Sequence, residues 1–223
     1  MSSLRERIIV CRRCPRLVAY REKVAREKRR AYRDETYWGK PVPAFGVAQP
    51  RLMVVGLAPG AHGSNRTGRM FTGDASGDWL YRAMHLAGFA SQPSSVRRGD
   101  GLKLTDALVT AAARCAPPDN KPTPKELSRC RPYLVEEIAA CRSLRVVIAL
   151  GRVGMDAFLK AWTEAGHPPF TPKPPFLHGG EATAGGVTLL ISYHPSRQNT
   201  QTGKLTRAMF EGVFRRARKI ISG

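Results

Sequence analysis

The sequence has few acidic residues and no long apolar run. Only 17 Asp and Glu stand against 37 Lys and Arg in 223 residues, which gives a formal net charge of +20. No apolar stretch approaches the length of a membrane span, and residues 1–10 contain three charges and no apolar segment of a secretory signal. These absences predict a cytoplasmic protein. The excess of positive charge predicts a polyanionic partner, although a generally basic proteome would give the same composition.

Cysteine is also scarce, and its spacing is informative. The chain has five cysteines, of which Cys11 and Cys14 form one close pair and Cys115 and Cys130 a second, wider one. In a reducing compartment, spaced cysteines are more often metal ligands than disulfides. If the fold brings the two pairs together, four thiolates suit either a [4Fe–4S] cluster or a structural zinc ion. The fifth, Cys141, lies on an apolar helical turn and is predicted to be a buried core residue.

Short apolar segments alternate with helical patterns along the chain. Alternation of this kind predicts an α/β fold, a three-layer α/β/α sandwich around a central, mainly parallel four-stranded sheet. The four candidate strands cover residues 52–57, 107–113, 144–150 and 187–193. Helices are expected near Asp78, after a Thr123–Glu126 capping box, and over residues 205–221. The length favours a single domain over residues 1–223.

The N-terminal part differs in composition from the rest. Residues 15–40 are dense in charge and predict an exposed helix, and residues 38–43 predict an irregular linker. We expect the segment 1–45 to pack onto the domain and to supply the first cysteine pair.

The loop that follows the first candidate strand is rich in glycine. It contains an aromatic residue, Phe71, and an acid, Asp74, but lacks the Gly-Lys-Ser/Thr ending of a phosphate-binding loop. Small residues allow a flat ligand to approach the backbone closely. The residues alone leave two interpretations equally open, a binding loop and a glycine-rich turn whose Asp74 caps the next helix. Loops at the carboxyl ends of parallel strands meet at one edge of the sheet, where ligands bind.

Three segments resemble, in the right order, the motifs of the type-b (family 5) uracil-DNA glycosylases. Residues 56–74 (GLAPGAHGSNRTGRMFTGD) resemble the first motif, and residues 194–206 (HPSRQNTQTGKLT) resemble the DNA-wedge loop. Residues 114–134, with RCAPPDNKP and CRPYL, resemble the cluster-binding region. The similarity extends from Cys11 to the C-terminal helix.

The resemblance implies a DNA repair enzyme with an iron–sulfur cluster. Such an enzyme flips a damaged base out of DNA, hydrolyses its N-glycosidic bond and leaves an abasic site. The ligands of the [4Fe–4S] cluster would be Cys11, Cys14, Cys115 and Cys130, with zinc as the physical alternative. The partner is duplex DNA, with single-stranded DNA as a second candidate. We expect a monomer associated with the nucleoid through its DNA.

The resemblance also implies roles for individual residues of the pocket. Phe71 would stack on the flipped base, and Ala58 and Gly63 would keep the pocket wall close and flat. Asp74 and Asn120 would activate or position the water. These roles match what hydrolysis of an N-glycosidic bond requires.

The third loop supplies His194, which would meet the charge that develops on the leaving base. His62 is an alternative for one of these roles, and Asp78 is a weaker alternative to Asp74. The expected DNA contacts are Arg66, Arg69, Arg197, Gln198 and Lys204, with Lys121 as a further candidate.

Two positions separate the chain from the related family 4 enzymes. Leu57 stands where those enzymes carry an acid, and Ala111 stands where they carry an asparagine that reads the uracil edge. A pocket without that polar reader rejects analogues poorly, so we expect activity on uracil and on other deaminated bases such as hypoxanthine. The alternatives are a family 4-like enzyme strict for uracil and a non-catalytic, metal-stapled nucleic-acid-binding module.

Overall fold

The computed structural model describes residues 3–223. Its α-helices are α1 (Leu4–Ile9), α2 (Pro15–Glu27), α3 (Ser64–Thr67), α4 (Ala75–Leu86), α5 (Pro124–Ala140), α6 (Gly151–Glu164), α7 (Arg197–Gln201) and α8 (Arg207–Ser222). Its strands are β1 (Phe45–Gly46), β2 (Leu52–Gly56), β3 (Ala107–Ala111), β4 (Val146–Leu150), β5 (Glu181–Ala184) and β6 (Val187–Ser192). Two 3₁₀ turns cover Arg30–Tyr32 and Pro118–Asn120.

Within the described residues the strands form one six-stranded sheet in the order β1-β3-β2-β4-β6-β5. The four inner strands, β3, β2, β4 and β6, are mutually parallel and are the four that the sequence predicts. The outer strands β1 and β5 pair antiparallel with β3 and β6, and they correct the predicted number of strands from four to six. The edge strands were missed because β1 has two residues and β5 has the weakly apolar sequence Glu-Ala-Thr-Ala.

The sheet is covered by helices on both faces. Leu52 and Val54 of β2 face an apolar cluster that includes residues of α4 and α8, whereas Met53 and Val55 face a second cluster with residues of α5 and α6. All residues of β2, β4 and β6 are buried, as expected for parallel strands between two helical layers. The predicted three-layer α/β/α sandwich is confirmed.

The helix starts follow the capping signals in the sequence. Thr123 and Glu126 form the predicted capping box at the start of α5, which carries Cys130, and Cys141 at its end is buried as predicted. None of the helices in residues 3–223 is long and apolar enough to cross a lipid bilayer.

The N-terminal helix is shorter than its charge density suggests. α2 ends at Glu27, and Lys28 has a left-handed φ of 55° that turns the chain out of the helix. Its face is not fully exposed either, because Arg21 is only 2% exposed. The predicted exposed helix over residues 15–40 is therefore wrong beyond residue 27, and the predicted irregular stretch at 38–43 is confirmed.

Candidate active site and cysteine cavity

Two loops meet at the carboxyl edge of the parallel strands. One leads from β2 to α4, and the other leads from β6 to α7. Ser76 Oγ, in the first turn of α4, donates a hydrogen bond of 3.0 Å to the carbonyl oxygen of Pro195. The rings of Phe71 and His194 lie 5.9 Å apart at an interplanar angle of 31°. The structure thus brings the first and third sequence motifs together.

Phe71 lies directly on the backbone of β2. A β-carbon at Gly56 would come within 2.6 Å of the Phe71 Cζ atom, and one at Gly77 would overlap the Phe71 carbonyl oxygen. Phe71 has a φ of 51°, a conformation that a bulky side chain adopts only under tertiary constraint. Glycines at 56 and 77 therefore set the position of this aromatic ring.

Asp74 is both the cap of a helix and a wall of the pocket. It is the N-cap residue of α4, and its Oδ1 accepts a hydrogen bond of 3.1 Å from the Gly77 N–H. Its Oδ2 faces two glycines, since a β-carbon at Gly63 would overlap this oxygen and one at Gly60 would lie 2.8 Å from it. The capping interpretation is confirmed, and the interpretation as a binding loop stays a prediction.

The carboxylate of Asp74 is a stronger base than that of an unperturbed aspartate. Burial raises its pKa, and the backbone hydrogen bonds from Gly77 and Ser76 oppose that rise. Burial also raises the pKa of Asp78, which lies exposed one turn further along α4, so the assignment of the base to Asp74 stays a prediction.

His194 is neutral at neutral pH. Burial lowers its pKa to about 4, because a desolvated imidazolium is unfavourable. Its carbonyl oxygen accepts a hydrogen bond of 2.8 Å from Asn199 Nδ2, which holds the loop after β6. A neutral imidazole offers one N–H donor and one acceptor.

The alternative histidine, His62, is engaged by the N-terminal segment. Its Nδ1 lies 3.0 Å from the Tyr37 hydroxyl oxygen, and the two rings pack edge to face. Burial lowers the pKa of His62, with smaller contributions from Arg29 and Arg66. His62 is therefore a contact between the first-motif loop and the segment that follows α2.

Asn120 and Ala58 lie nearer the surface. Asn120 is exposed on its 3₁₀ turn with a φ of 55°. In the part of the chain that the structure describes, its side chain makes no hydrogen bond with Asp74 or His194. Ala58 is half-buried, directly after Leu57, whose carbonyl oxygen accepts a 3.0 Å hydrogen bond from the Ala113 N–H and so extends the β2–β3 pairing.

Arg66, expected to contact DNA, is 6% exposed and bound inside the protein. Its Nη1 lies 2.5 Å from Glu35 Oε2, its Nε donates to the His62 carbonyl oxygen, and its Nη2 donates to the Gly73 carbonyl oxygen. The Tyr32 ring lies 3.9 Å from the guanidinium carbon. This arrangement corrects the expectation of a phosphate contact, because every nitrogen of the group already has a protein partner.

Arg69 is likewise an internal residue, at 5% exposure. It forms a two-point ion pair with Asp100, at 2.7 and 2.8 Å, and also donates to Ser95 and Thr72. Burial alone would raise the pKa of Asp100, but Arg69 and three backbone N–H donors hold it well below its usual range. The expected phosphate contact of Arg69 is corrected in the same way.

The third loop presents the other expected DNA contacts at the surface. Arg197 and Gln198 start α7 and are exposed, and Lys204 is exposed just after it. The Lys204 Nζ lies 4.9 Å from the centre of the Tyr193 ring. Lys121 is also exposed.

The four paired cysteines line a single small cavity. Cys11 and Cys14 come from the turn between α1 and α2, Cys115 follows β3, and Cys130 lies on α5. Leu17, Val18, Pro41 and Tyr133 complete the apolar part of the wall. The fold closes the N-terminal segment onto the centre of the protein, as the cysteine spacing requires.

The polar groups around this cavity point towards sulfur. The Arg114 N–H donates to Cys130 Sγ at 3.3 Å, and Arg21 Nη1 donates to Cys115 Sγ at 3.8 Å. Burial raises the pKa of Cys115 to about 12 and that of Cys130 to about 11. Arg114 also lines the cavity, and its buried Nε has no hydrogen-bond partner among residues 3–223.

The cavity is not arranged around a single ion. Across the described residues, no three His, Cys, Asp or Glu side chains are grouped closely enough to hold one metal ion. Four soft donors around one cavity, with a buried cation beside them, fit a larger anionic group.

Sequence comparisons agree with the geometry. A profile of the family described as the uracil DNA glycosylase superfamily matches residues 43–218. The chain belongs to this superfamily. It is 51% identical over 215 residues to a type-5 uracil-DNA glycosylase of Mycobacterium tuberculosis, covering 96% of this chain and 79% of the relative.

Two further relatives place the chain within the superfamily. Identity to a type-5 uracil-DNA glycosylase of Thermus thermophilus is 50% over 216 residues, covering 96% and 94% of the two chains. A type-4 uracil-DNA glycosylase of Pyrobaculum aerophilum is 32% identical over 161 residues, covering 72% of this chain and 74% of the relative. The predicted resemblance to the type-b (family 5) enzymes is confirmed.

Several residues that position this superfamily site carry no signal in the sequence. Ser76, Tyr37 and Arg21 act through partners 119, 25 and 94 positions away. Asn65, fully buried, donates to the Arg21 carbonyl oxygen at 3.2 Å and so joins the first-motif loop to α2. Only the acid in the Gly99-Asp100-Gly101 loop offered a hint, as a turn residue able to pair with an arginine.

Proposed function

We propose that the chain is a monofunctional glycosylase that hydrolyses the N-glycosidic bond of uracil in DNA. The proposal rests on one observation: the first-motif loop sets the Asp74 carboxylate oxygen against Gly60 and Gly63 and places the Phe71 ring 5.9 Å from that of His194. An aromatic face, a basic carboxylate and a neutral imidazole at one edge of a parallel sheet suit a flat base and a water. The names of the type-5 relatives support the same substrate.

The base reaches this pocket only after it leaves the helix. Flipping costs roughly a few kcal/mol in unstacking and unpairing, which contacts in the pocket and along the backbone offset. Phe71 offers its ring to the flipped base, and the missing side chains at Gly60 and Gly63 let the Asp74 carboxylate lie against the backbone of the first-motif loop. Ala58 forms the wall beside them.

The chemical step is a substitution at the sugar carbon. The bond between C1′ and the base nitrogen breaks with its electron pair leaving on uracil, and the oxygen of water bonds to the resulting oxocarbenium-like sugar. Asp74 accepts the proton of that water. Its raised pKa makes it a better base than an exposed aspartate, provided that the pH is above that pKa.

His194 stabilises the leaving base. With a pKa of about 4, its ring is neutral at neutral pH and donates a hydrogen bond rather than a full charge to the uracil oxygen. Asn120 lies on the loop that leaves β3 at the same sheet edge, and we assign it to the water or the substrate once DNA is bound. Product is an abasic site, since no lysine of the pocket is placed as a Schiff-base nucleophile.

The proposal includes activity on hypoxanthine. Ala111 ends β3 and brings no hydrogen-bonding side chain to the edge of the base. Selection by shape and stacking alone discriminates weakly among deaminated bases. A second lesion base is therefore expected to be excised.

A direct test uses labelled duplexes that carry one uracil or one hypoxanthine, treated with protein and then with alkali. Alkali-dependent cleavage at both lesions is the expected result. Cleavage at uracil alone would identify a strict enzyme, and no cleavage at either would leave a binding protein.

The four cysteines of the cavity would hold a [4Fe–4S] cluster. Held by these ligands, such a cluster would tie the turn between α1 and α2 to the loop after β3 and to α5. Arg21 and Arg114 place positive charge and an N–H beside the sulfurs, which favours thiolates over thiols. Iron and acid-labile sulfide in equal amounts, with zinc absent, are the expected composition of the purified protein.

A further inference from the structure

The strongest concentration of free charge near the pocket lies just after α2. Residues 26–33 carry five cationic side chains and one acid, and Arg26, Arg29, Arg30 and Arg33 are exposed. The neighbouring acids do not neutralise them. Glu35 is paired with Arg66, and Asp34 lies 3.6 Å from Arg33 with 93% of its side chain exposed, so water screens that pair.

This segment has a defined shape. Lys28 Nζ donates to the Arg33 carbonyl oxygen at 2.9 Å and closes the turn around the 3₁₀ helix. The Tyr32 ring packs on the buried guanidinium of Arg66, whose carbon lies 3.9 Å from the ring centre. Arg29, Arg30 and Arg33 then line one open groove, together with Ala31 and the solvent-exposed Asp34. Because the backbone is held in advance, binding an anion here costs less ordering than on a free loop.

The segment is next to the candidate active site. Tyr37 contacts His62, and the charge of Arg29 is close enough to lower the pKa of that histidine. His62 directly precedes Gly63, the glycine that faces the Asp74 carboxylate. Arg29 therefore lies close to the first-motif loop, and Arg30 and Arg33 share its groove.

We propose that Arg29, Arg30 and Arg33, here called the arginine turn, bind the phosphate backbone of duplex DNA beside the flipped nucleotide. DNA as the partner rests on the proposed function, and the position of the contact rests on the geometry. The spacing of several guanidinium groups along a groove suits consecutive phosphates of one strand.

The arginine turn also explains the buried position of Arg66. Its guanidinium holds Tyr32 and Glu35 on one side and the His62 and Gly73 carbonyl oxygens on the other. Arg66 thus fixes the arginine turn to the first-motif loop, and three exposed arginines make the contact that was expected of Arg66 itself.

The test compares two triple variants with the same change in charge. One is R29Q/R30Q/R33Q. The control is K103Q/R142Q/R145Q, whose three exposed cations precede β3 and β4 at the opposite edge of the sheet. Affinity for an undamaged duplex is measured over a range of salt concentrations, alongside thermal unfolding. Single variants R29Q, R30Q and R33Q keep the test valid if the triple variant folds poorly.

Each lost phosphate contact lowers the slope of log affinity against log salt by roughly 0.9. The arginine-turn triple variant is expected to lose about 2–3 units of slope, and the control is expected to lose less than one. Equal losses in the two variants would overturn the proposal. Uracil excision by the wild-type protein is measured separately, so that the two proposals can fail independently. If the salt slope falls only in the arginine-turn variant while the wild type excises no uracil, the arginine turn is supported and the activity is rejected.

Discussion

The candidate pocket and the cysteine cavity bring distant residues together in different ways. In the pocket, protein groups satisfy one another: the Gly77 N–H donates to the Asp74 carboxylate, and Ser76 Oγ donates to the Pro195 carbonyl oxygen. In the cavity, burial raises the pKa values of Cys115 and Cys130, and Arg114 Nε lacks a partner among the described residues. The side chains at the sheet edge thus have protein partners, whereas the cavity keeps buried polar groups that the protein atoms of residues 3–223 leave without one.

Because of this difference, substitutions in the two regions should affect different quantities. Changes in the pocket should remove turnover and leave the fold, and changes in the cavity should weaken the fold and reduce turnover as a consequence.

The largest effect is expected for D74N. Asparagine caps a helix as well as aspartate does, so the Gly77 contact remains while the base is lost. Excision of uracil should fall by about 10²–10⁴-fold, with duplex affinity and the unfolding temperature close to wild type. Single-turnover assays measure the rate of uracil excision, and calorimetry measures the unfolding temperature.

The matched control is D78N, on the same helix one turn further along. It should keep most of the activity, because Asp78 is exposed and lies away from the glycine wall. An equal loss of excision activity in D74N and D78N would show that Asp74 is not the base.

A smaller but broader effect is expected for C115S. Losing one of four soft donors should lower the free energy of unfolding by on the order of several kcal/mol and reduce the bound iron. Chemical denaturation and metal analysis measure both quantities. C141S is the control, since Cys141 is buried in the core cluster with α5 and α6 and not in the cavity wall. Iron content that is unchanged in C115S would contradict the four-cysteine assignment.

The smallest effect concerns pH. The folded His194 has a pKa of about 4 and the unfolded one about 6.5, so only the unfolded state binds this proton between those values. The contribution of neutral His194 to the free energy of unfolding is therefore fully present above pH 6.5. It is lost as the pH falls towards 4, by at most about 1.4 kcal/mol per pH unit.

Comparison with H194N isolates that contribution. All other titrating groups are shared, so the difference between the two unfolding free energies should shrink steadily from pH 6.5 to pH 4. Parallel curves would show that His194 is not buried in its neutral form.

The parallel strands and the main helix starts were predictable because their signals are local. Val146–Leu150 is a continuous apolar run, and the Thr123–Glu126 capping box acts over one turn. Cys115 and Cys130 could be recognised as a pair for the same reason.

The buried arginines were not predictable. Arg66 and Arg69 sit in a loop that looks exposed, and their partners Glu35 and Asp100 are each 31 residues away. Nothing in the spacing of charges says which cation a distant acid will neutralise. The early end of α2 at Glu27 was also hidden, since the positive φ of Lys28 goes against the usual preference of a lysine.

The two outer strands affect how readily the protein aggregates at high local concentration. β1 offers two residues of edge, and Arg216 on α8 binds Glu181 at the start of β5 through two hydrogen bonds of 2.8 and 2.9 Å. Short or charge-guarded edges give a neighbouring chain little backbone to pair with. If a protein with a charge of +20 binds a polyanion, its copies would be crowded along that polymer. Its sheet ends in borders that resist aggregation while it is crowded there.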